Sequence, residues 1–197
     1  MATAKEILEY RRKANDGTIG VYYNSDILHA TIIMTALLNK AREKGEFIKI
    51  FCGKLSLFSR SAEGKVNQLK EEVEKNYEST EEKEQWEGFN PSKELRDAFI
   101  AYVEKFSDKI KIIVENWTDE ITKLPIWDIL KENKVELRVL TSNIGLDHFT
   151  VTKDAYRIEN SDEIKSASGN FMDPANAIML EGIFDQQVSR SVKYNYN

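Results

Sequence analysis

Three short apolar runs constrain this chain more than any other feature: FIKIFCG at 47–53, IKIIVE at 110–115 and VELRVLT at 135–141. Each is short, apolar and rich in β-branched or aromatic residues, and reads as a buried strand. The segments between them have helical period. DILHATIIMTALLNKAREKG spaces Ile27, Leu28, Ile32, Ile33, Ala36, Leu37 and Ala41 along one helix, with Ser25 as its expected cap and Gly45 beyond its basic last turn. KELRDAFIAYVEKF after Pro91, LPIWDILKENK and FMDPANAIMLEGIFDQQVSRS predict three more helices, and residues 2–13 an opening one. TIGVYYN at 18–24 reads as a further strand. Recurrent strand–helix–strand order predicts an α/β fold, a mixed β-sheet flanked by helices. The 197 residues fit one domain over 1–197, with a charged helical insertion around 60–107.

The least regular stretch is 60–90. KVNQLKEEVEKNY repeats Val66, Leu69 and Val73 at helical spacing, whereas ESTEEKEQWEGFNP reads as a loop carrying Trp86. From Glu63 to Glu87 nine acids face four lysines, a local balance of −5 that equals the net charge of the whole chain. The remainder is neutral, so a broad basic face for nucleic acid is disfavoured while a local anion site stays open. No run of about 18 apolar residues exists, so no membrane span is expected. The charged, helical start does not read as a secretory leader, and a lone Cys52 in an apolar strand suits a reduced thiol and a cytoplasmic protein. Asn116-Trp117-Thr118 matches a glycosylation acceptor, taken as chance in that setting. Two histidines and one cysteine make no zinc set, and neither a glycine-rich phosphate loop nor a GxSxG elbow occurs; neither metal nor cofactor is expected.

The chemistry concentrates in HFTVTKDAYRIEN, residues 148–160. A turn at Lys153-Asp154 pairs Val151 with Tyr156, Thr150 with Arg157, Phe149 with Ile158 and His148 with Glu159. Opposed residues share a face. One face, Phe149, Val151, Tyr156 and Ile158, suits burial; the other gathers His148, Thr150, Arg157 and Glu159. A histidine beside a carboxylate, with a guanidinium one step along, can bind phosphate: Glu159 would hold the imidazole and Arg157 grip the oxygens. A three-residue turn would shift the register and scatter the set. The bland alternative is a strand-end histidine satisfied by Glu159. His29, on an amphipathic helix, reads as structural.

His148 in DHFTV, Arg157 and Glu159 in YRIEN, Ser168 and Asn170 in SASGNF and the helix AIMLEGIFDQ together resemble the phospholipase D superfamily, as a single divergent copy of its HxKxxxxD unit. FIKIFCGKLSLF resembles the strand and loop that precede the motif. The resemblance spans roughly 18–190, and its specific part about 25 residues. It implies a phospholipase D-like half fold, catalysis by His148 with Glu159, and phosphate binding by Arg157, Thr150, Ser168 and Asn170, the last pair from a SASGN loop. Thr150 stands where the family has lysine and Ala155 where it has aspartate.

Two expectations follow. One is a catalytically lapsed domain that binds a phosphate-containing ligand, such as a nucleotide or nucleic acid, or a protein partner. The other is a metal-independent phosphodiesterase acting through a phosphohistidine, with a second His148 supplied by a homodimer. Trp86, Trp117 and Trp127 are either base-stacking platforms or core and interface anchors.

Overall fold

The computed structural model describes residues 3–17, 21–24, 26–76, 80–142, 145–159 and 167–196. Strands β1 (Val21–Asn24), β2 (Ile48–Cys52), β3 (Ile110–Val114), β4 (Glu136–Leu140), β5 (Phe149–Val151), β6 (Tyr156–Glu159), β7 (Ala167–Asn170) and β8 (Ser191–Lys193) form one eight-stranded sheet in the order β1-β7-β6-β5-β2-β3-β4-β8. Pairs β2–β3 and β3–β4 are parallel and the rest antiparallel, so the sheet is mixed. The three apolar runs supply β2, β3 and β4.

Helices α1 (Ala4–Asp16), α2 (Ile27–Lys44), α3 (Glu63–Asn76), α4 (Thr80–Glu87), α5 (Pro91–Phe106) and α6 (Trp127–Glu132) contribute to the larger core, while α7 (Pro174–Val188) covers the opposite face. Alternation divides the strands between the two cores. Ile48 and Ile50 join Leu37, Phe99 and Tyr102 in the larger one; Phe51, Phe149 and Val151 meet Leu180 and Phe184 under α7. Lys49 also points toward α7. It is buried, but its ammonium meets Glu181 Oε1 at 2.8 Å and Asp185 Oδ1 at 2.7 Å, so its charge is compensated.

Local chemistry sets the helix starts. Thr3 and Glu6 form a capping box on α1. Asn90-Pro91 and Asp173-Pro174 each place an Asx side-chain acceptor before a proline at N1, opening α5 and α7. Each such cap stabilises by about 1 kcal/mol. For α2 the cap is Asp26, which accepts from His29 N; the expected cap Ser25 lies outside the described residues. Gly45 ends α2 at φ 64°, a left-handed position that favours glycine.

Three sequence expectations are corrected. The stretch read as a loop after 77 contains α4, and Trp86 is buried edge-on against Phe89 rather than presented on a loop. SASGN is not a loop: Ala167–Asn170 is a strand held between β1 and β6. The helix expected over FMDPANAIMLEGIFDQQVSRS ends at Val188 rather than running to Ser191. Ser191–Lys193 pairs with β4, and beyond it Tyr194 stacks on Trp117 at 4.1 Å while Tyr196 packs on Trp127.

Candidate functional site: a histidine between two carboxylates

The β5–β6 hairpin has the register expected from its alternation: Phe149 opposite Ile158, Thr150 opposite Arg157, Val151 opposite Tyr156. Thr152 N donates to Ala155 O at 2.8 Å, closing a two-residue turn at Lys153-Asp154, and Glu159 N donates to His148 O at 2.7 Å. Because β5 runs antiparallel to β2, with Phe149 beside Phe51, His148 arrives where the parallel strands β2 and β3 end. Crevices at the carboxyl ends of parallel strands are where ligands bind in open α/β sheets.

His148, Glu159, Arg157 and Thr150 are brought together. Arg157 Nη1 donates to Glu159 Oε1 at 2.6 Å, and the other oxygen of Glu159 lies 3.7 Å from His148 Nδ1. Arg157 and Thr150 are buried; His148 is half-buried. Ser168 and Asn170 are not part of this group. In the β6–β7 register Ala167 stands opposite Glu159 and Gly169 opposite Arg157, so Ser168 and Asn170 project from the other face with Ile158 and Tyr156. Asn170 Oδ1 accepts from the backbone N–H of Met172.

The nearest partner of His148 is a residue that the sequence did not single out. Glu115, the first residue after β3, places Oε2 2.8 Å from Nε2 of the imidazole. Glu115 N bonds Cys52 O and Asn116 N bonds Gly53 O, so the chain continues the β2–β3 pairing for one step and delivers the carboxylate to the ring. The Glu115 side chain is 9% exposed, and its Oε1 is buried with no hydrogen-bond partner among the described residues. Gly53 leaves room for the ring: a Cβ there would lie 3.1 Å from Cε1 of His148. Phe51 meets the same ring edge-on at 5.8 Å.

The electrostatics follow from this enclosure. Hydrogen bonding and charge from Glu159 and Glu115 raise the His148 pKa to about 9, against the burial that opposes its positive form. Burial by itself would raise Glu159, but the bond to His148 and the charge of Arg157 bring it down to about 2. Glu115 makes the shorter contact, 2.8 Å to Nε2, and Glu159 lies 3.7 Å from Nδ1 on the other side of the ring. At neutral pH the group is therefore an imidazolium between two carboxylates, with an N–H for each. Burial also pushes the nearby Cys52 thiol up to about 12, which keeps it protonated and unreactive.

Beside these groups is a cavity of about 180 Å³. His148, Arg157, Thr150 and Glu159 form its polar side, Met34, Leu57 and Phe58 an apolar wall, and exposed Lys54 belongs to its rim. Leu55 holds the rim loop with φ 57°, an uncommon conformation for a branched residue. One signal would have pointed to Glu115, Gly53 and Lys54. Gly53 and Lys54 are the first two residues after β2 and Glu115 the first after β3, at the carboxyl ends of apolar strands.

Trp117 and Trp127 pack on each other and on the tail tyrosines, and Trp86 lies in the core. His29 Nδ1 meets Asp26 Oδ1 at 2.8 Å, and Tyr10 meets its ring edge-on. Among the described residues no group of histidines, cysteines and carboxylates is arranged to hold a metal ion, and no helix is long and apolar enough to cross a membrane.

No family model matches this sequence, and no curated protein matches it. Solved structures do. TrmBL2, described as an archaeal chromatin protein with a novel mode of DNA binding, superposes with a TM-score of 0.56 at 15% identity, covering 96% of this chain and 65% of its own. This chain thus spans under two thirds of that protein. Nuc from Salmonella typhimurium, a phospholipase D family member, superposes with a TM-score of 0.50 at 10% identity, covering 89% of this chain and 97% of its own. At these identities the likeness is one of fold. The chain has an α/β architecture with a mixed sheet flanked by helices, similar to that of a phospholipase D family member.

Proposed function

We propose that this chain is a catalytically lapsed phospholipase D-like domain that binds a phosphate-containing ligand at the His148 cavity. The carrying observation is the 2.8 Å bond from His148 Nε2 to Glu115. Attack on phosphorus needs a nitrogen lone pair, and here one ring nitrogen is bonded to a carboxylate and the other faces a second. With a pKa near 9, only roughly 1% of the ring is neutral at pH 7. Thr150, where the family carries lysine, supplies no charge for a transferring phosphoryl group.

Phosphate recognition is supported by the charges around the cavity. His148, Arg157 and Lys54 are three cations against Glu159 and Glu115, leaving one positive charge for a phosphodiester or phosphate monoanion to neutralise. The DNA binding named for TrmBL2 agrees with a ligand of this chemistry. The phosphodiesterase reading, with a second His148 from a homodimer, needs an imidazole open to substrate, and the two carboxylates weigh against it.

The test has two arms. A generic aryl phosphodiester, incubated in chelator, should be hydrolysed no faster by the protein than by buffer. Hydrolysis abolished by His148→Ala would overturn the lapsed reading. Inorganic phosphate or a short oligonucleotide should bind, with affinity falling about tenfold in Lys54→Glu as the rim charge reverses. Equal affinity in the variant would remove the cavity as the binding site.

A further inference from the structure

Glu115 is the least explained group in the site. It is the most enclosed carboxylate there, yet one of its oxygens has no hydrogen-bond partner among the described residues. Desolvating a carboxylate oxygen without a partner costs free energy that packing alone does not return. Its other oxygen bonds the ring nitrogen through which His148 would otherwise meet an anion. A carboxylate and a phosphate oxygen make the same charge-assisted bond to an imidazolium N–H. The two therefore compete for one place.

We propose that Glu115 is a built-in competing anion that determines what the site accepts: a phosphate group reaches His148 only by displacing this carboxylate. This deepens the phosphate-binding reading above and rests on it. Three features make displacement feasible. Glu115 lies just past the end of β3, still bonded to the β2 side but beyond the last residue paired with β4, so it is not flanked by a neighbouring strand on both sides. Its unsatisfied oxygen lowers the cost of leaving. The imidazolium keeps Glu159 as a second carboxylate when Glu115 departs. The charged groups around the ring are Glu115, Glu159, Arg157 and Lys54, with Asp147 exposed beside it in the chain. Glu115 is thus the member whose removal changes anion selectivity without dismantling the Arg157–Glu159 pair.

Trp117, two residues on, stacks on Tyr194, so an aromatic pair lies close to Glu115 along the chain.

The experiment titrates inorganic phosphate and dimethyl phosphate into the wild type, Glu115→Gln and Glu115→Asp, following ring 15N shifts and tryptophan fluorescence. The chain has two histidines, so the ring signals are readily assigned. Phosphate should bind Glu115→Gln about tenfold more tightly than wild type, because the competing charge is gone. Glu115→Asp keeps the charge but shortens the reach, and should also bind more tightly. In the wild type, phosphate should shift Nε2 of His148. Equal affinity in wild type and both variants would overturn this inference while leaving the phosphate site standing. Tighter binding by Glu115→Gln alone would reduce Glu115 to a field effect and overturn direct competition. Failure of all three proteins to bind either probe would overturn the phosphate reading, and the inference with it.

Discussion

The two histidines of this chain each meet a carboxylate at the same distance, 2.8 Å, and the two pairs differ in almost everything else. His29 bonds Asp26, three residues away on the same helix start. That carboxylate is already committed. It caps α2 through the His29 N–H and reaches Lys65 Nζ at 3.3 Å, tying α3 to α2. His148 bonds Glu115 across 33 residues and faces Glu159 across the hairpin, with one carboxylate oxygen left unsatisfied among the described residues and a cavity alongside. A local pair whose atoms all have work within the fold reads as structural. A pair assembled from distant segments at strand ends, with a surplus of acceptor, reads as a site. Unspent hydrogen-bonding capacity, more than histidine–carboxylate contact itself, separates the two.

The sharpest way to break the contrast is to remove each histidine pair in turn. His148→Ala leaves Glu115 enclosed with neither oxygen partnered. Loss of one member of a buried pair costs about 3–5 kcal/mol, and the partial exposure of His148 reduces that to about 2–3 kcal/mol. Urea denaturation should record that loss. A cost under about 0.5 kcal/mol would mean that Glu115 finds other partners and that the enclosure is weaker than described. Asp26→Ala should cost somewhat less, about 2 kcal/mol, from one helix cap and two partly exposed ion pairs. It should leave phosphate binding unchanged, and altered binding would erase the distinction between the two sites.

The pH dependence sharpens the comparison further. The folded pKa of His148, about 9, lies above its ordinary 6.5, so its contribution is complete below 6.5 and is lost as pH rises through 9. Glu159 is depressed to about 2 from 4.5, so its contribution is complete above 4.5 and is lost as pH falls through 2. The stability difference between wild type and His148→Ala should therefore peak between about pH 4.5 and 6.5 and shrink by about 1–2 kcal/mol toward pH 9.5. A difference that is flat over pH 6–9.5 would mean that the ring is not held as an imidazolium.

What was legible in the sequence was local. Alternation in HFTVTKDAYRIEN and a two-residue tip suffice to set the register of β5 and β6, because neighbours across a tight hairpin need no information from the rest of the chain. The helix after Pro91 was legible for the same reason, whereas the closing helix was read from Phe171 although α7 begins at Pro174, after the Asp173 cap. Glu115 was not, since its contact depends on β5 docking beside β2 while β3 docks on the other side, an order that no local pattern encodes. Ser168 and Asn170 were misplaced because the side a strand residue faces depends on register, and the β7 register is set against β6 and β1 rather than by a short turn. The α4 segment TEEKEQWE has only Trp86 as a large apolar residue, too little periodicity to announce a helix. Burial of that indole against Phe89 accompanies it in the fold.

The smallest expected effect tests how closely the His148 site is fitted. Gly53 does not have the positive φ that favours glycine, so a left-handed turn is not what requires it. What it provides is space. A methyl group there would lie 3.1 Å from Cε1 of His148, tighter than an ordinary contact, and the ring must shift by a few tenths of an ångström to accommodate it. Such local overpacking costs about 1 kcal/mol. Because Cε1 is bonded to Nε2, the same shift disturbs the geometry of the bond to Glu115. Gly53→Ala should therefore lower the His148 pKa from about 9 toward its ordinary value. Hydrogen-bond strength falls steeply with distance and angle, so a small displacement suffices to register. A variant with unaltered stability and an unaltered His148 titration would mean that the ring has slack, and that Glu115 holds it less closely than the 2.8 Å separation implies.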